Sequence, residues 1–300
     1  MWLKSGGLVA FPTETVYGIG ADAGNREAID RLYSVKDRPN NHPVIVHIAE
    51  QQLVEYWAKE IPDYARFLMK EFWPGPMTLI LQRTSHAANW ITGGQDYVGL
   101  RIPSHPVALA LLSELHKLGG RGVAAPSANR FGGVSPTSAQ AVIEELGSFL
   151  SPNDVVIDGG DCEVGIESTI IDCTNDAPKV IRKGAITAEM ISKVVDISQN
   201  ESGIRASGTL PRHYSPRTAV IVNREAQAGD GLLALASIST PEGVQRLASP
   251  SNIDEYAHDL YRAFRLGDSL QVSRIVVIPP EGEGLASAIR DRIMRAALHD

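Results

Sequence analysis

The 300-residue chain has only two cysteines, Cys162 and Cys173, and they show neither CxxC spacing nor a histidine cluster nearby. That pattern excludes a zinc module and makes reduced, structural thiols the expectation. No apolar run approaches the ~20 residues a membrane-spanning helix needs. The start carries neither a basic leader nor a small-residue cleavage site, so the expected location is cytoplasmic, with no membrane partner. Positive charge is also short: 28 Lys and Arg face 35 Asp and Glu, a net charge of -7. This argues against a broad nucleic-acid surface while leaving room for a local cationic pocket. A Walker-A phosphate loop, internal repeats and coiled-coil heptads are all missing from the sequence.

What is there alternates short β-branched runs with helical stretches, the pattern of an α/β protein. LVAF, PVIVHI, TLIL, VGLRI, VVIDGG, TIIDC and KVIRKG read as strands, several nearly continuous in apolar residues and therefore covered on both faces. A Ser-, Gly- and Pro-rich stretch without periodicity, SQNESGIRASGTLPRHYSP, then reads as a linker. Beyond it TAVIV, LLALASI and RIVVI read as strands, and DEYAHDLYRAFRLG carries Tyr256, Leu260, Tyr261 and Phe264 at helical spacing. The expected organisation is a first domain over 1–196, a linker or lid over 197–216, and a small α/β domain over 217–300.

The stretch FPTETVYGIGADAG places Gly18, Gly20 and Gly24 one residue too long for G-x-G-x-x-G, and Pro12-Thr13-Glu14-Thr15 separates them from the strand. A dinucleotide turn is excluded by that detail. Asn25 can cap a following helix whose apolar face is Ile29, Leu32 and Tyr33, and Lys36 falls on that inward face at i+7 from Ile29. Arg38 and Pro39 end the helix. Ser135 is expected as an N-cap with Pro136 at N1, ahead of a helix burying Val142, Ile143 and Leu146. Its N-terminus, near Ser127 and Asn129 of APSAN, is a phosphate-binding candidate. Arg101 alternates inside the apolar strand VGLRI and needs a partner. His47, Ser168 and Arg182 each also admit a bland reading, as a core histidine, a strand polar-face residue and an exposed strand-end charge.

Taken in order, FPTETVYGIGADA, the KxR of VKDRP with HPVIVHI, WPGPMTLIL, VGLRIPSHP, APSAN with VSPT, GIESTIID and VIRKG, then HYSP, resemble the YrdC-like family and its two-domain threonylcarbamoyl-AMP synthases. The resemblance covers residues 6 to 190 and the linker, and more weakly the tail AIRDRIMRAA. It implies an open, twisted mixed sheet with helices and a concave cationic surface. It further implies a nucleotidyltransferase that joins L-threonine, bicarbonate and ATP into threonylcarbamoyl-AMP and pyrophosphate, for a tRNA modification.

By the same resemblance Thr13, Thr15, His47, Arg101 and Ser168 would hold threonine or its carbamate. Lys36, Arg38, His42, Ala125, Ser127, Asn129, Ser135, Arg182 and Tyr214 would hold ATP, with Lys36 and Arg38 acting on the transition state. Mg2+ would accompany ATP, a downstream tRNA threonylcarbamoyl-transfer machinery would take the product, and no direct tRNA binding is implied. His42 stands where relatives often have asparagine. The start, lacking a strand and helix that relatives carry there, would expose a sheet edge. Ser207 and Gly208 would let the linker close over the pocket, with Pro211 and Pro216 stiffening it. A carbamoyl transferase of hydrogenase-maturation type is disfavoured, since no zinc-finger cysteines accompany the motifs. The rival from another class is an RNA- or ribosome-binding module without synthase activity.

Overall fold

The computed structural model describes residues 2–198, 203–210 and 212–298; Pro211 lies outside them. Nine strands form one mixed sheet: β1 (Val9–Phe11), β2 (Gly18–Asp22), β3 (Ile45–His47), β4 (Met77–Gln82), β5 (Tyr97–Arg101), β6 (Val123–Ala124), β7 (Val155–Val156), β8 (Thr169–Asp172) and β9 (Lys179–Arg182). Their spatial order is β7-β1-β2-β6-β3-β5-β4-β8-β9. Three pairs are parallel (β1 with β7, β3 with β5, β4 with β8) and the other five are antiparallel. Every residue of β1, β2 and β8 is buried, as in strands covered on both faces. Gly20 serves this packing rather than a ligand: a Cβ there would lie 2.3 Å from Val123 Cγ1 and 3.0 Å from Phe11 Cε1. β1 is paired on both sides, so the edge expected at the chain start falls instead on the two-residue β7.

A second sheet is wholly parallel, in the order β10-β13-β11-β12, from β10 (Val220–Val222), β11 (Gly231–Leu233), β12 (Gln245–Ala248) and β13 (Ile275–Val277). The helices Ile253–Leu270 and Leu285–Ala297 accompany it. Tyr256, Leu260, Tyr261 and Phe264, at the spacing seen in the sequence, are completely buried, and each such side chain contributes about 1.5–3 kcal/mol by leaving water. Their cluster includes Val16, Val134 and Ile166 of the first part, so the two parts share a core. At the contact Gly165 has φ +82°, and a Cβ would lie 2.4 Å from His258 Cα. Only glycine fits both the left-handed backbone and that approach.

The helix Arg26–Lys36 forms as its sequence dictates. Asn25 accepts from the Ala28 amide at 3.1 Å, Glu27 stands in the first turn, and Asp37 closes the end at φ 53°. The expected helix at Ser135 starts later. Its cap is Ser138, whose hydroxyl accepts from the Ala141 amide at 3.2 Å, and the helix runs Ala139–Leu146. Ser135 is unavailable because its hydroxyl is bonded to Glu167, and the Pro136 carbonyl accepts from the Tyr17 amide, tying the segment across the molecule. The shift turns Ile143 outward, 51% exposed, while Val142 and Leu146 stay buried.

Candidate active site

A cleft at the junction of the two parts gathers most of the residues singled out in the sequence. Thr13, Thr15, Arg38, His47, Arg101, Ala125, Ser127, Ser168, Arg182 and Tyr214 all line it, together with Glu167, Ser207, Gly208 and His213. Its closed volume is about 50 Å3. A more open cleft of about 1250 Å3 lies beside Arg26, Lys59, Arg83 and Trp90, but none of its cations is buried.

The TETV segment is a side-chain-stabilised turn. Thr13 Oγ1 donates to the Val16 carbonyl at 2.7 Å and accepts from the amides of Thr15 and Val16. The turn holds Thr15 Oγ1 against Arg101 Nη1 at 3.0 Å. Arg101 ends β5 in register with His47 of β3. Its Nε donates to the Gly75 carbonyl at 3.2 Å, and its Nη2 lies 2.7 Å from Glu14 Oε1 in a buried ion pair without hydrogen-bond alignment. The partner that an arginine in an apolar strand required is therefore Glu14, which the sequence reading passed over.

Arg182 is 5% exposed, not a solvated strand end. Its Nε and Nη2 donate to the carbonyl and hydroxyl of Ser168 at 3.0 and 3.1 Å, and Nη1 donates to the Ser207 carbonyl at 2.8 Å. Ser168 Oγ is also bonded to Thr78 at 2.8 Å. Arg38 Nη2 donates to the Pro43 carbonyl at 2.8 Å and to Ser207 Oγ at 3.3 Å, its guanidinium lies over Phe131, and its buried Nε has no partner. Both guanidinium groups thus meet oxygens of the segment at Ser207. Gly208 closes the contact at φ +76°, where a Cβ would lie 2.1 Å from Tyr214 Oη.

Lys36 is not brought into the cleft lining. It is 1% exposed, and its Nζ donates to the carbonyls of Ser127, at 2.6 Å, and Asn129. Burial, with Arg38 nearby, pushes its ammonium well below the ordinary lysine range. It ties down the PSAN turn from beneath. Asn129 and Ser135 are likewise buried outside the lining. His42 stands outside too, edge-on to Phe131, which in turn carries Arg38.

Sequence reasoning also missed Glu167, which lines the cleft. The signal existed: a glutamate inside the apolar GIESTIID calls for a partner on the same grounds as Arg101. Among the described residues no group of three His, Cys, Asp or Glu could hold a metal ion, and no helix is long and apolar enough to cross a membrane.

His47 and His213 are both held down to about 3, first by burial, and then by Arg101 for His47 and chiefly by Arg38 among the cations near His213. The unfolded chain takes up protons at each near 6.5 while the folded one refuses them to about 3. Stability therefore falls as pH drops through that window, by up to ~1.4 kcal/mol per pH unit for each histidine. Denaturant unfolding between pH 6 and pH 4 should show the slope, and His213→Asn should flatten it by about that amount. An unchanged slope contradicts the neutral buried form.

Comparison with known proteins accounts for both parts of the chain. The Sua5/YciO/YrdC family model, described as telomere recombination, matches residues 1–184, and the model of the threonylcarbamoyl-AMP synthase C-terminal domain matches residues 186–298. The threonylcarbamoyl-AMP synthase of Pyrococcus abyssi is 37% identical over 99% of this chain and 92% of its own length. That of Bacillus subtilis is 35% identical over 98% and 90%. A crystal structure of P. abyssi Sua5 complexed with L-threonine superposes with a TM-score of 0.87 at 36% identity, covering 99% of this chain and 92% of that one. Full-length HypF shares the fold alone, with a TM-score of 0.53 at 14% identity over 96% of this chain and 41% of its own. With both family models matched in order and a mixed sheet that closes a cationic cleft against a second α/β unit, the chain belongs to the threonylcarbamoyl-AMP synthases, which are adenylyl-transferring enzymes of tRNA modification.

Proposed function

We propose that this chain makes threonylcarbamoyl-AMP from L-threonine, bicarbonate and ATP, with release of pyrophosphate. The observation that carries the reading is the convergence of three buried guanidinium groups, Arg38, Arg101 and Arg182, on one cleft lined by threonine and serine hydroxyls. Threonine's amine adds to carbon dioxide with loss of a proton, or to bicarbonate with loss of water, to give a carbamate, and a carbamate oxygen attacks the α-phosphorus of ATP and expels pyrophosphate. The nucleophile is made from the substrates, so the protein's task is to position them and to stabilise crowded negative charge.

Arg101, with Thr13, Thr15, His47 and Ser168 around it, is the threonine end. Arginine's planar fork suits a carboxylate. Arg38 and Arg182, with Ala125, Ser127 and Tyr214, form the nucleotide end. Lys36, with Asn129 and Ser135, shapes that end from behind by fixing the PSAN turn and the segment facing it. A cavity of about 50 Å3 is far below the roughly 300–1,000 Å3 of a ligand site. The Ser207–Gly208 segment must therefore lift for ATP to enter, phosphate oxygens then replacing its oxygens on Arg38 and Arg182. Its return over the bound substrates would shield a hydrolysable mixed anhydride from water. Magnesium would arrive on the triphosphate, held mainly by phosphate and water. The protein works away from membranes, and its product passes to a threonylcarbamoyl-transfer machinery without this chain itself binding tRNA. Pyrophosphate release should require L-threonine, bicarbonate and ATP together and no tRNA. Undiminished release without threonine would refute the reading, and salt-sensitive RNA affinity without release would favour an RNA-binding module.

A further inference from the structure

Glu167 is a buried carboxylate in a cleft otherwise built for anions, and the side chains that satisfy it come largely from the other part of the chain. Oε1 accepts from Ser135 Oγ at 2.6 Å, and Oε2 accepts from Tyr261 Oη and Arg292 Nε, both at 2.9 Å. Burial raises its carboxyl, yet Arg292, then Arg182, hold it down to about 2, so it is charged throughout the working range. Arg292 is wholly buried, on the face of the last helix that also carries Ala288, Ile289, Ile293 and Ala296.

Its guanidinium does more than neutralise. Nη2 donates to the Lys183 carbonyl at 2.8 Å, so one side chain grips the chain just before β8 and just after β9. Those two segments carry Ser168 and Arg182. Nη1 donates to Asp291 at 2.7 Å, Asp291 accepts from Arg295 Nε, and Arg295 donates to the carbonyls of Thr209 and Leu210 next to Ser207 and Gly208. The guanidinium also lies 5.1 Å from the centre of the Tyr214 ring.

We propose that Arg292, assisted by Tyr261, is a positioning residue of the synthase: it cancels and orients Glu167 so that this carboxylate does not repel the triphosphate. The second domain is on this view an electrostatic part of the ATP site, and the inference rests on the ATP assignment made above. Removing one partner of a buried pair leaves an uncompensated charge, here facing an anion site.

The test is calorimetric titration of full-length protein with MgATP, alongside steady-state kinetics. Arg292→Met should weaken ATP binding and raise its KM by about 10-fold or more, with the KM for threonine changing by less than about 3-fold. The double variant Glu167→Gln/Arg292→Met should recover ATP affinity to within about 3-fold of the parent, because the offending charge is gone. If Arg292→Met does not fold, the double variant and Arg292→Lys, which retains the cation, carry the same expectation of near-parental affinity. Unchanged ATP affinity in a folded Arg292→Met, or double and lysine variants that bind ATP no better than Arg292→Met or remain 10-fold weaker than the parent, would overturn the inference. Parental protein that binds ATP but releases no pyrophosphate with threonine would instead overturn the proposed reaction, while the affinity comparison still decides the role of Arg292.

Discussion

Replacing Arg38 by alanine is expected to slow threonine-dependent pyrophosphate release by about 100-fold or more, the scale on which one preorganised electrostatic donor acts. The guanidinium is 8% exposed, held over Phe131 and anchored at the Pro43 carbonyl. Its orientation is therefore paid in folding rather than at the moment of reaction. Its buried Nε lacks a partner in the closed cleft, and Nη2 is shared with Ser207, so two donors are free for phosphate oxygens once the segment lifts. The loss should fall mainly on kcat if the charge acts on the departing pyrophosphate, and Arg38→Lys should recover only part of it, because the fork is gone. Steady-state kinetics on variants with an unchanged melting temperature would measure this, and normal turnover would reduce Arg38 to a structural charge at the end of its helix.

Arg101→Ala should destabilise the fold by about 3–5 kcal/mol, the usual penalty for stranding one member of a buried ion pair. Glu14 is 5% exposed and its Oε2 has no hydrogen-bond partner. Without Arg101 its buried charge would lose its ion-pair partner. The Gly75 carbonyl and the Thr15 hydroxyl would lose a donor as well. Glu14→Gln/Arg101→Met should restore most of the stability, since a buried pair replaced as a unit is often neutral, yet leave threonine unable to saturate the enzyme. Denaturant unfolding with threonine titration separates the two roles. A loss below about 1 kcal/mol for Arg101→Ala would mean that Glu14 is relieved in another way.

What the sequence disclosed and what it withheld follow a single physical division. Local rules sufficed for the helix Arg26–Lys36, because its cap, its apolar face and the inward Lys36 all lie within one stretch. The lining of the cleft was legible for Thr13, Arg101, Ser168 and Arg182, through motifs that the resemblance interpreted. Ser135 failed because two serines three residues apart compete for the cap, and the choice was made by Glu167, 32 residues away. The partners of Glu167 lie 94 and 125 residues along the chain, in Tyr261 and Arg292. Alternation within GIESTIID could announce that a partner was needed, not which. Arg292 left a similar trace, a charge on the apolar face of AIRDRIMRAA. The nine-strand order was beyond local reading, since parallel crossovers place β8 beside β4 across nearly ninety residues. Lys36 shows the opposite limit: its direction was legible, but its carbonyl partners, Ser127 and Asn129, were not.

On the proposed reaction, this cleft joins three small molecules into one mixed anhydride. The decisive measurement incubates the protein with 13C-bicarbonate, L-threonine and MgATP and follows both products by mass spectrometry and pyrophosphate assay. Labelled threonylcarbamoyl-AMP is expected in equal amount to pyrophosphate, with neither formed when threonine is omitted. Pyrophosphate or AMP formed without labelled threonylcarbamoyl-AMP, at any threonine concentration, would contradict that reaction.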